Sequence, residues 1–408
     1  METRHTLPEL LAPAGDWTCL QAATDAGADA VYLGVEGLNM RATARNFTCD
    51  NLPEISRHCR QAGLRVYLTL NTIVFTDEIE QARETLSAAC GNVDAVICWD
   101  PAVLALCREL SLPFHISTQA SIANVESARF YKSLGAERIV PARECTLEEV
   151  ARIRRETGIE VELFVHGAMC VNFSGRCFLS QDVFGKSGNR GECVQPCRRE
   201  YFIKEVEDGD EYIVGKDYVM SARDVCTLPF LEQLVEMGID SLKIEGRNRN
   251  PEYVDTVVRC YRRALDACAA GQFDEALKTE LMGRLEGVFN RNFSEGFYHG
   301  RPIAEFAESR GSQAEFRKEL VGVVSNYYAR IGVVEITVQS NAFRPGDEMM
   351  IQGPTTGVLR FRPVEIRVNG KTVDAAPRGV VTLRLDEKVR RGDKVFIRVS
   401  REGKRAGE

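Results

Sequence analysis

The first part of the chain alternates short, continuously apolar runs with longer segments in which apolar residues recur at helical spacing. Apolar runs without polar alternation are typical of parallel strands that are buried on both faces. Several helical segments end at a glycine, as at Gly63, Gly135 and Gly238, where a C-terminal helix cap is expected. The eight runs are Glu9–Ala12, Ala30–Leu33, Arg65–Leu70, Asp94–Cys98, Pro113–Ile116, Arg138–Val140, Glu160–Val165 and Ser241–Ile244. Eight strand–helix units predict an α/β fold with a closed (β/α)8 TIM-like barrel, and an open doubly wound sheet is the alternative.

In the last part of the chain the spacing of the apolar residues changes. From about Leu320 it consists of short β-branched runs separated by PGD, NGK and RGD turns, as in an antiparallel barrel or sandwich. We therefore predict a barrel over residues 1–300, a linker over 301–318 and a small C-terminal antiparallel β-barrel domain over 319–408. This second domain shows little chemistry, so we interpret it as a docking or substrate-positioning module rather than a second active site.

A long insertion, over about residues 167–217, separates the seventh and eighth strand–helix units. It follows the C-terminal end of a barrel strand, and active sites of this architecture lie on that face. Its glycines allow tight turns toward a common centre. Four cysteines lie within it: Cys170, Cys177, Cys193 and Cys197. Thiolates on glycine-rich loops are typical ligands of a soft metal, so the sequence predicts an iron–sulfur cluster or zinc.

The composition favours a reduced compartment for these thiols. The 14 cysteines come without a signal-peptide core at the start of the chain, and no apolar run has membrane-spanning length. We therefore expect a cytoplasmic protein with no membrane partner, whose cysteines are free thiols or ligands rather than disulfides. The formal net charge of −7 argues against nucleic-acid binding by the whole surface, but it is compatible with a local basic groove.

Polar side chains follow several of the predicted barrel strands. Gln119 follows the fifth strand, Glu144 the sixth, His166 the seventh and Glu245 the eighth. Polar residues at the C-terminal ends of barrel strands line a shared pocket, so these four are candidate catalytic residues. Glu245 is a candidate for orienting a substrate through hydrogen bonds. His166 is a candidate proton donor, a neighbour of the metal cluster or a buried histidine with a structural role.

Arginines also gather around this face of the predicted barrel. Guanidinium groups bind phosphates and carboxylates in a bidentate manner, and a solvated run of charges balanced by nearby acids is the alternative. The arginines close in sequence to strand ends or to the cysteines include Arg41, Arg45, Arg190, Arg198, Arg199, Arg247 and Arg249. We predict that the substrate is bound by Arg45, Arg143, Arg198, Arg199 and Arg247.

Several longer motifs carry a resemblance to a known family. They are LLAPAG at Leu10–Gly15, GADAVYLG at Gly27–Gly34, STQAS at Ser117–Ser121, FVHGAMCVNFSGRCFLS at Phe164–Ser180, CVQPCRREY at Cys193–Tyr201, SARDVC at Ser221–Cys226 and DSLKIEGRNRNPEYV at Asp240–Val254. In this combination the chain resembles the collagenase-like peptidase family U-32, from the first strand to about Phe297. The β-rich last part is similar to the C-terminal domain of the longer members.

The resemblance implies a cofactor, a substrate and a reaction. Several members are RNA or quinone hydroxylation factors that hold a 4Fe–4S cluster on four cysteines, here Cys170, Cys177, Cys193 and Cys197. The chain is most similar to the branch that helps convert the wobble uridine of certain tRNAs to 5-hydroxyuridine, with prephenate as the implied oxygen source. The expected partners are therefore tRNA, a small carboxylate co-substrate and a redox or protein partner. Cys226 is the alternative fourth ligand, because we predict it at the start of the helix that leads to the eighth strand.

Three other functions remain open. The first is a collagenase-like peptidase, but the sequence has neither an HExxH helix nor a GxSxG turn. A dyad of His166 and Cys170 is also disfavoured, because a thiolate bound to iron is not a free nucleophile. The second is hydroxylation of ribosomal-RNA cytidine, and the third is a non-catalytic iron–sulfur or zinc scaffold. The predicted function is an iron–sulfur-dependent tRNA uridine hydroxylase.

Overall fold

The computed structural model describes residues 7–42, 45–170, 172, 175–199, 201–204, 211–214, 221–302 and 312–401. Its strands are β1 (Glu9–Pro13), β2 (Ala30–Leu33), β3 (Arg65–Thr69), β4 (Ala95–Cys98), β5 (Phe114–Ile116), β6 (Arg138–Ile139), β7 (Glu160–Gly167), β8 (Tyr201–Lys204), β9 (Glu211–Val214), β10 (Asp224–Cys226), β11 (Ser241–Ile244), β12 (Phe293–Ser294), β13 (Phe316–Tyr328), β14 (Val333–Val338), β15 (Met349–Gly353), β16 (Gly357–Phe361), β17 (Ile366–Val368), β18 (Lys371–Val373), β19 (Gly379–Arg384) and β20 (Lys394–Ser400). Its helices are α1 (Trp17–Asp25), α2 (Leu52–Gln61), α3 (Ile79–Ala89), α4 (Pro101–Glu109), α5 (Val125–Ser133), α6 (Leu147–Thr157), α7 (Leu179–Phe184), α8 (Leu231–Glu236), α9 (Pro251–Ala269) and α10 (Glu275–Glu286).

Eight parallel strands, β1 to β7 and β11, close into a barrel. Ser241 of β11 pairs with Glu9 of β1 on one side and with Glu162 of β7 on the other, so the sheet has no free edge at this point. The observed strand bounds differ from the predicted ones by at most two residues. The prediction of a (β/α)8 TIM-like barrel is therefore confirmed, and the open sheet is ruled out.

The helices cover the barrel because their apolar faces match the outward side chains of the strands. Leu242 and Ile244 of β11 are fully buried in the same outer core as Val254 and Tyr261 of α9. Two helices, α9 and α10, follow the eighth barrel strand. Among the described residues, no helix combines the length and the apolar character needed to cross a membrane.

The interior of the barrel contains charged side chains below the mouth, where branched apolar residues are usual. The Lys243 ammonium lies 2.7 Å from a carboxylate oxygen of Glu162, and the Arg138 guanidinium lies 2.6 Å from Glu9 and 3.4 Å from Glu162. All four residues are less than a tenth exposed. Burial lowers the pKa of Lys243, and Glu162 opposes this shift. Two cations and two anions neutralise each other, which makes their burial tolerable.

The insertion leaves the barrel at the end of β7 and returns through β10. It contains α7 and the antiparallel pair β8–β9, while Asp217, at its predicted end, lies outside the described residues. Cys226 ends β10, which pairs antiparallel with β7, and α8 begins only at Leu231. The prediction that Cys226 starts a helix is therefore wrong, because the returning chain first extends the hydrogen bonding of β7.

The last part of the chain forms one antiparallel sheet with the strand order β16-β15-β20-β13-β14-β19-β17-β18. It surrounds a second core that includes Val321, Phe343 and Ile397. The predicted antiparallel architecture is confirmed. β13 already begins at Phe316, inside the predicted linker, whose residues 303–311 lie outside the described part, so the domain bounds themselves stay predictions.

We expect that removing one partner of the buried Lys243–Glu162 ion pair destabilises the protein more than removing both. Replacing Glu162 by Gln leaves a buried ammonium without its anion, which should lower the free energy of unfolding by about 3 kcal/mol. The double variant Glu162→Gln/Lys243→Met should recover most of this loss, because it buries no unpaired charge. Urea unfolding measures all three proteins.

The control is Glu126→Gln, which removes one partner of an exposed ion pair with Arg129 and should leave the urea midpoint unchanged. A single Glu162→Gln variant as stable as the parent would contradict the importance of the buried pair.

Candidate active site at the mouth of the barrel

A cavity opens at the C-terminal ends of the barrel strands and is roofed by the insertion. We call it the mouth cavity. Strands and loops of the barrel contribute Tyr32, Arg41, Thr69, Asn71, Gln119, Arg143, Lys243, Glu245 and Arg247, and the insertion contributes Met169, Cys170, Cys177, Cys193, Cys197 and Arg198. The insertion fits closely on the barrel, because a Cβ atom at Gly191 would lie only 2.2 Å from the carbonyl oxygen of Asn39. Glycine is therefore required at this contact.

Three charged residues of the cavity come from β11 and the residues that follow it. Lys243, Glu245 and Arg247 all line the cavity. Leu242, which precedes Lys243, and Ile244, which follows it, are buried in the outer core. Side chains of an extended segment alternate between its two faces, so every second residue reaches the barrel interior. This segment therefore supplies an ammonium, a carboxylate and a guanidinium in one row.

The Glu245 carboxylate forms the central ion pair of the cavity. It accepts a hydrogen bond of 2.8 Å from the Arg41 guanidinium. Burial alone would raise the pKa of Glu245, but the charges of Arg41, Arg249 and Arg143 outweigh burial and lower the pKa to about 2. Glu245 is therefore ionised at neutral pH and accepts hydrogen bonds only.

The Arg247 guanidinium is fixed in a buried position beside this ion pair. It donates to Thr69 Oγ1 at 2.7 Å and to Asn39 Oδ1 at 3.2 Å. A Cβ atom at Gly34 would lie 2.4 Å from this guanidinium, so only glycine leaves room for it. Burial, together with the nearby charge of Arg41, lowers the pKa of Arg247 to about 10. Arg247 remains a cation at neutral pH, with neutral oxygens rather than a carboxylate as its direct partners.

Gln119 and Arg143 lie on the cavity wall formed by the fifth and sixth strands. The Gln119 side chain accepts a hydrogen bond from the Ser117 hydroxyl, and its amide donates to the carbonyl oxygen of Asn71 at 3.4 Å. Arg143 donates to the carbonyl oxygen of Ala168 at 2.7 Å. The Nε atom of Arg143 is buried and has no hydrogen-bond partner among the described residues. Such a donor is ready to bind an acceptor that the protein itself does not supply.

The lining of the mouth cavity is strongly cationic. Among the described residues, the lining has one carboxylate, Glu245, and five cations, Arg41, Arg143, Arg198, Lys243 and Arg247, of which Lys243 is paired with Glu162 below the cavity. Cations that face one enclosed space raise the local concentration of anions. The cavity therefore suits a ligand with more than one negative charge.

The four cysteines of the insertion line the same cavity. Cys177 Sγ accepts a hydrogen bond of 3.2 Å from the Asn172 amide, and Cys193 Sγ accepts one of 3.4 Å from the backbone N–H of Gln195. Burial raises the pKa of Cys197, Arg198 opposes this shift, and the charges of the other three cysteines add to it. The four thiols are thus close enough for their charges to interact.

These donors fit an iron–sulfur cluster in their chemistry. N–H groups that donate to sulfur stabilise thiolates, and four thiolates at one cavity wall are the usual ligand set of such clusters. Within the described residues, no three His, Cys, Asp or Glu side chains are placed to hold a single metal ion. An iron–sulfur cluster on these four cysteines therefore stays a prediction.

Cys226, the alternative fourth ligand, lies away from the mouth cavity. It is 2% exposed, its sulfur lies 3.7 Å from the Tyr261 hydroxyl, and it belongs to the core between the barrel and its helices. Burial raises its pKa to about 11, so it is a neutral thiol at neutral pH. The structure thus places Cys197, and not Cys226, beside the other three cysteines.

The prediction that His166 lines the pocket is wrong, and of the three roles left open the structure supports the buried histidine with a structural role. Its ring is 1% exposed and packs among Tyr253, Tyr261 and Phe293 on the outer side of the barrel. The pairing of β7 with β11 shifts register between Lys243 and Ile244, and this bulge turns His166 away from the interior. Burial, together with the charge of Arg249, lowers the pKa of His166 to about 3, so the ring is neutral.

Three further candidates also lie outside the lining of the mouth cavity. Glu144 is exposed in the loop before α6, because the chain has already left the barrel there. The Arg45 side chain is 80% exposed and lies 3.5 Å from Asp16, at a neighbouring cleft. Arg199 is exposed and stacks on the ring of Phe184 at 4.1 Å. Sequence proximity to a strand end did not decide the direction of these side chains.

Arg198 does line the cavity, but its guanidinium already binds the protein. It donates to the carbonyl oxygens of Met169 at 2.5 Å and Ala222 at 2.6 Å and to the Ser221 hydroxyl at 2.7 Å. Since Met169 begins the insertion and Ser221 ends it, Arg198 holds the two ends of the insertion together. Arg198 therefore has a structural role in the insertion, and its binding of a substrate stays a prediction.

Sequence reasoning missed Lys243 and did not select Arg41 among the binding residues. The signal for Lys243 was present, because Ser241, Lys243, Glu245 and Arg247 are polar at every second position. A strand with alternating polar residues in a buried barrel indicates a polar interior. No comparable signal marks Arg41, whose contact with Glu245 spans 204 residues of sequence.

Comparison with known proteins identifies the family. The profile of peptidase family U32 matches residues 15–308. A collagenase of Porphyromonas gingivalis is 39% identical over 402 residues, which cover 95% of this chain and 97% of that protein. The tRNA hydroxylation protein P1 of Bacillus subtilis is 33% identical over 392 residues, covering 94% and 93%. A 23S rRNA 5-hydroxycytidine synthase of Escherichia coli is 36% identical over 296 residues, covering 72% and 44%. The chain belongs to peptidase family U32.

Proposed function

We propose that this chain is an RNA-modifying enzyme that supports 5-hydroxylation of the wobble uridine of tRNA. The names of the Bacillus subtilis and Escherichia coli relatives support RNA hydroxylation as the reaction class. One observation carries the proposal, namely that the mouth cavity combines a wall of four thiols with five cations around one carboxylate. A cofactor, an anionic co-substrate and a base have separate places in such a cavity.

The first place is that of a 4Fe–4S cluster, which Cys170, Cys177, Cys193 and Cys197 would hold. A bound cluster would supply electron-transfer or Lewis-acid chemistry at the cavity wall. The chain contributes the N–H groups of Asn172 and Gln195, which stabilise thiolate charge.

The second place is that of the oxygen donor, for which we propose the dicarboxylate prephenate. Arg143, with its unpartnered buried Nε, and Arg247, with only neutral partners, are the cations most free to bind carboxylates. Arginine binds a carboxylate in a bidentate manner and thereby fixes its orientation. Arg41 is less free, because it already binds Glu245.

The third place is that of the base. Uracil offers one N–H donor between two carbonyl acceptors, and it enters an enzyme pocket after it leaves the stack of neighbouring bases. The ionised Glu245 is suited to accept from the N–H, and the amide of Gln119 is suited to donate to a carbonyl. The anticodon loop is single-stranded, so a base that leaves its stack is able to reach such a pocket.

The collagenase relative favours a peptidase as the second candidate. A cysteine peptidase needs a histidine within reach of its thiol. Among the described residues, no histidine lines the mouth cavity. His166 packs against Tyr261 outside the barrel, whereas Cys170 lines the cavity. The geometry therefore supports modification better than proteolysis.

A deletion strain tests the function directly. Its tRNA should lack 5-hydroxyuridine and the nucleosides derived from it, and the gene on a plasmid should restore them, as quantified by nucleoside mass spectrometry. Loss of 5-hydroxycytidine from ribosomal RNA instead would favour the alternative substrate. Normal nucleosides in a strain without a redundant pathway, together with cleavage of denatured collagen by the pure protein, would establish the peptidase.

Single Cys→Ala substitutions at positions 170, 177, 193 and 197 should each reduce the iron and sulfide bound per chain after anaerobic reconstitution, since each removes one soft ligand. Cys226→Ala is the matched control and should keep full iron, because its side chain lies in the outer core. Full iron in all four variants and its loss in Cys226→Ala would overturn the ligand set.

Two glutamates that were equivalent in the sequence should differ in function. Glu245→Gln removes the buried partner of Arg41, and a charged hydrogen bond of this kind is worth about 1.5–3 kcal/mol. The rate of tRNA hydroxylation should therefore fall by roughly 10- to 100-fold. Glu144→Gln alters only an exposed carboxylate outside the cavity and should restore 5-hydroxyuridine in the deletion strain as fully as the wild type does. Equal activity of the two variants would contradict the assignment of Glu245 to the site.

A further inference from the structure

A second, separate cleft lies between the barrel and the C-terminal sheet. We call it the basic cleft. The barrel supplies Asp16 and Arg45 near α1 and Arg249 before α9, and the sheet supplies Lys318 of β13 and Lys394 of β20. Gly353 and Gly392 also line it. Both parts of the chain are needed to form this cleft.

The basic cleft adjoins the mouth cavity. Arg247 and Asn248 line both of them, so a single residue pair forms the boundary. Besides Arg247, whose guanidinium lies in the mouth cavity, the described residues of the basic cleft include four cations, Arg45, Arg249, Lys318 and Lys394, and the carboxylate of Asp16. An anion bound in the basic cleft would therefore lie next to the mouth cavity.

The cations of the basic cleft are largely free of internal partners. Within the part of the chain that the structure describes, no carboxylate lies within ion-pair distance of Arg249, Lys318 or Lys394. Arg249 stacks on the ring of Phe289 at 3.7 Å, and Lys318 donates to the amide oxygen of Gln352 at 2.9 Å. Cations that lack a direct ion-pair partner repel one another, so an anionic ligand in the cleft would be stabilising.

The charges around Lys318 agree with this picture. Burial lowers the pKa of Lys318, Glu252 opposes this shift, and the neighbouring charge of Lys394 adds to it. A phosphate between the two lysines would relieve their repulsion. Lys394 is exposed and Arg45 is 80% exposed, so both are accessible to a large ligand.

We infer that the basic cleft binds the sugar–phosphate backbone of the RNA next to the nucleotide that enters the mouth cavity. The inference rests on the proposed function and adds to it a role for the C-terminal sheet. Phosphate contacts fix the position of a nucleic acid, while contacts to the base select it. Lys318 and Lys394 would hold the strand, and Gln119 and Glu245 would contact the base.

The double variant Arg45→Ala/Lys394→Ala tests the cleft, because both side chains are exposed and their loss leaves the cores intact. If each contacts one phosphate, the slope of log affinity for tRNA against log salt should become shallower by about 1.4 to 1.8. Affinity at 0.15 M salt should fall roughly 10-fold or more. Fluorescence anisotropy with labelled tRNA over a salt series measures both quantities.

The control is Lys371→Ala/Arg378→Ala, which removes the same charge from two exposed positions, in β18 and directly before β19, that do not line the basic cleft. It should change neither the slope nor the affinity. An unchanged slope in Arg45→Ala/Lys394→Ala, with tight binding of tRNA by the wild type, would overturn the cleft and leave the proposed function standing. Absence of tRNA binding by the wild type would overturn both.

Discussion

The buried polar row on the eighth barrel strand is the constraint on which the site depends. Ser241, Lys243, Glu245 and Arg247 alternate with apolar residues that face the helices, so one extended segment runs from the charged interior to the cavity wall. Each of these polar side chains needs a hydrogen-bond or ion-pair partner from elsewhere in the chain, since an unpaired polar or charged group is costly in a barrel interior. Glu9 accepts a hydrogen bond from Ser241, Glu162 pairs with Lys243, Arg41 with Glu245, and Thr69 receives Arg247. The positions of β1, β7 and the loop after β2 are thereby linked to the chemistry at the mouth.

A local irregularity of the seventh strand complements this row. The bulge opposite Lys243 and Ile244 turns His166 outward, where it fills a space between aromatic side chains. The backbone of His166 still serves the site, because its carbonyl oxygen accepts a hydrogen bond of 2.8 Å from the N–H of Glu245. Directly after the bulge the chain leaves the barrel and carries the cysteines over the cavity, with Arg198 holding the two ends of the insertion. The strand end thus contributes backbone geometry in place of an acid–base side chain.

The arrangement separates two kinds of recognition. The mouth cavity is enclosed and places thiols, one carboxylate and buried guanidiniums around a small volume, which suits a base and a small dianion. The basic cleft combines the exposed Arg45 and Lys394 with the half-buried Arg249 and Lys318, and we propose it for the RNA backbone. The ion pair between Arg360 of the sheet and Asp255 of α9, at 2.5 Å, holds the sheet against the barrel. This contact holds the C-terminal sheet beside the barrel face that carries the mouth cavity.

The sequence alone determined the parts of this protein that depend on local pattern. Apolar runs, glycine caps and turn motifs identified all eight barrel strands and the antiparallel character of the last part, and the four clustered cysteines, Gln119, Glu245 and Arg247 were found from their positions after strands or in the insertion. Only the tertiary structure decided which strand-end residues face inward. His166 and Glu144 differ from Glu245 through a bulge and an early loop exit, neither of which has a signature in residue type. It also decided the partners of each charge, because the pairs Arg41–Glu245 and Lys243–Glu162 join residues 204 and 81 positions apart, and contacts of that range are set by barrel closure.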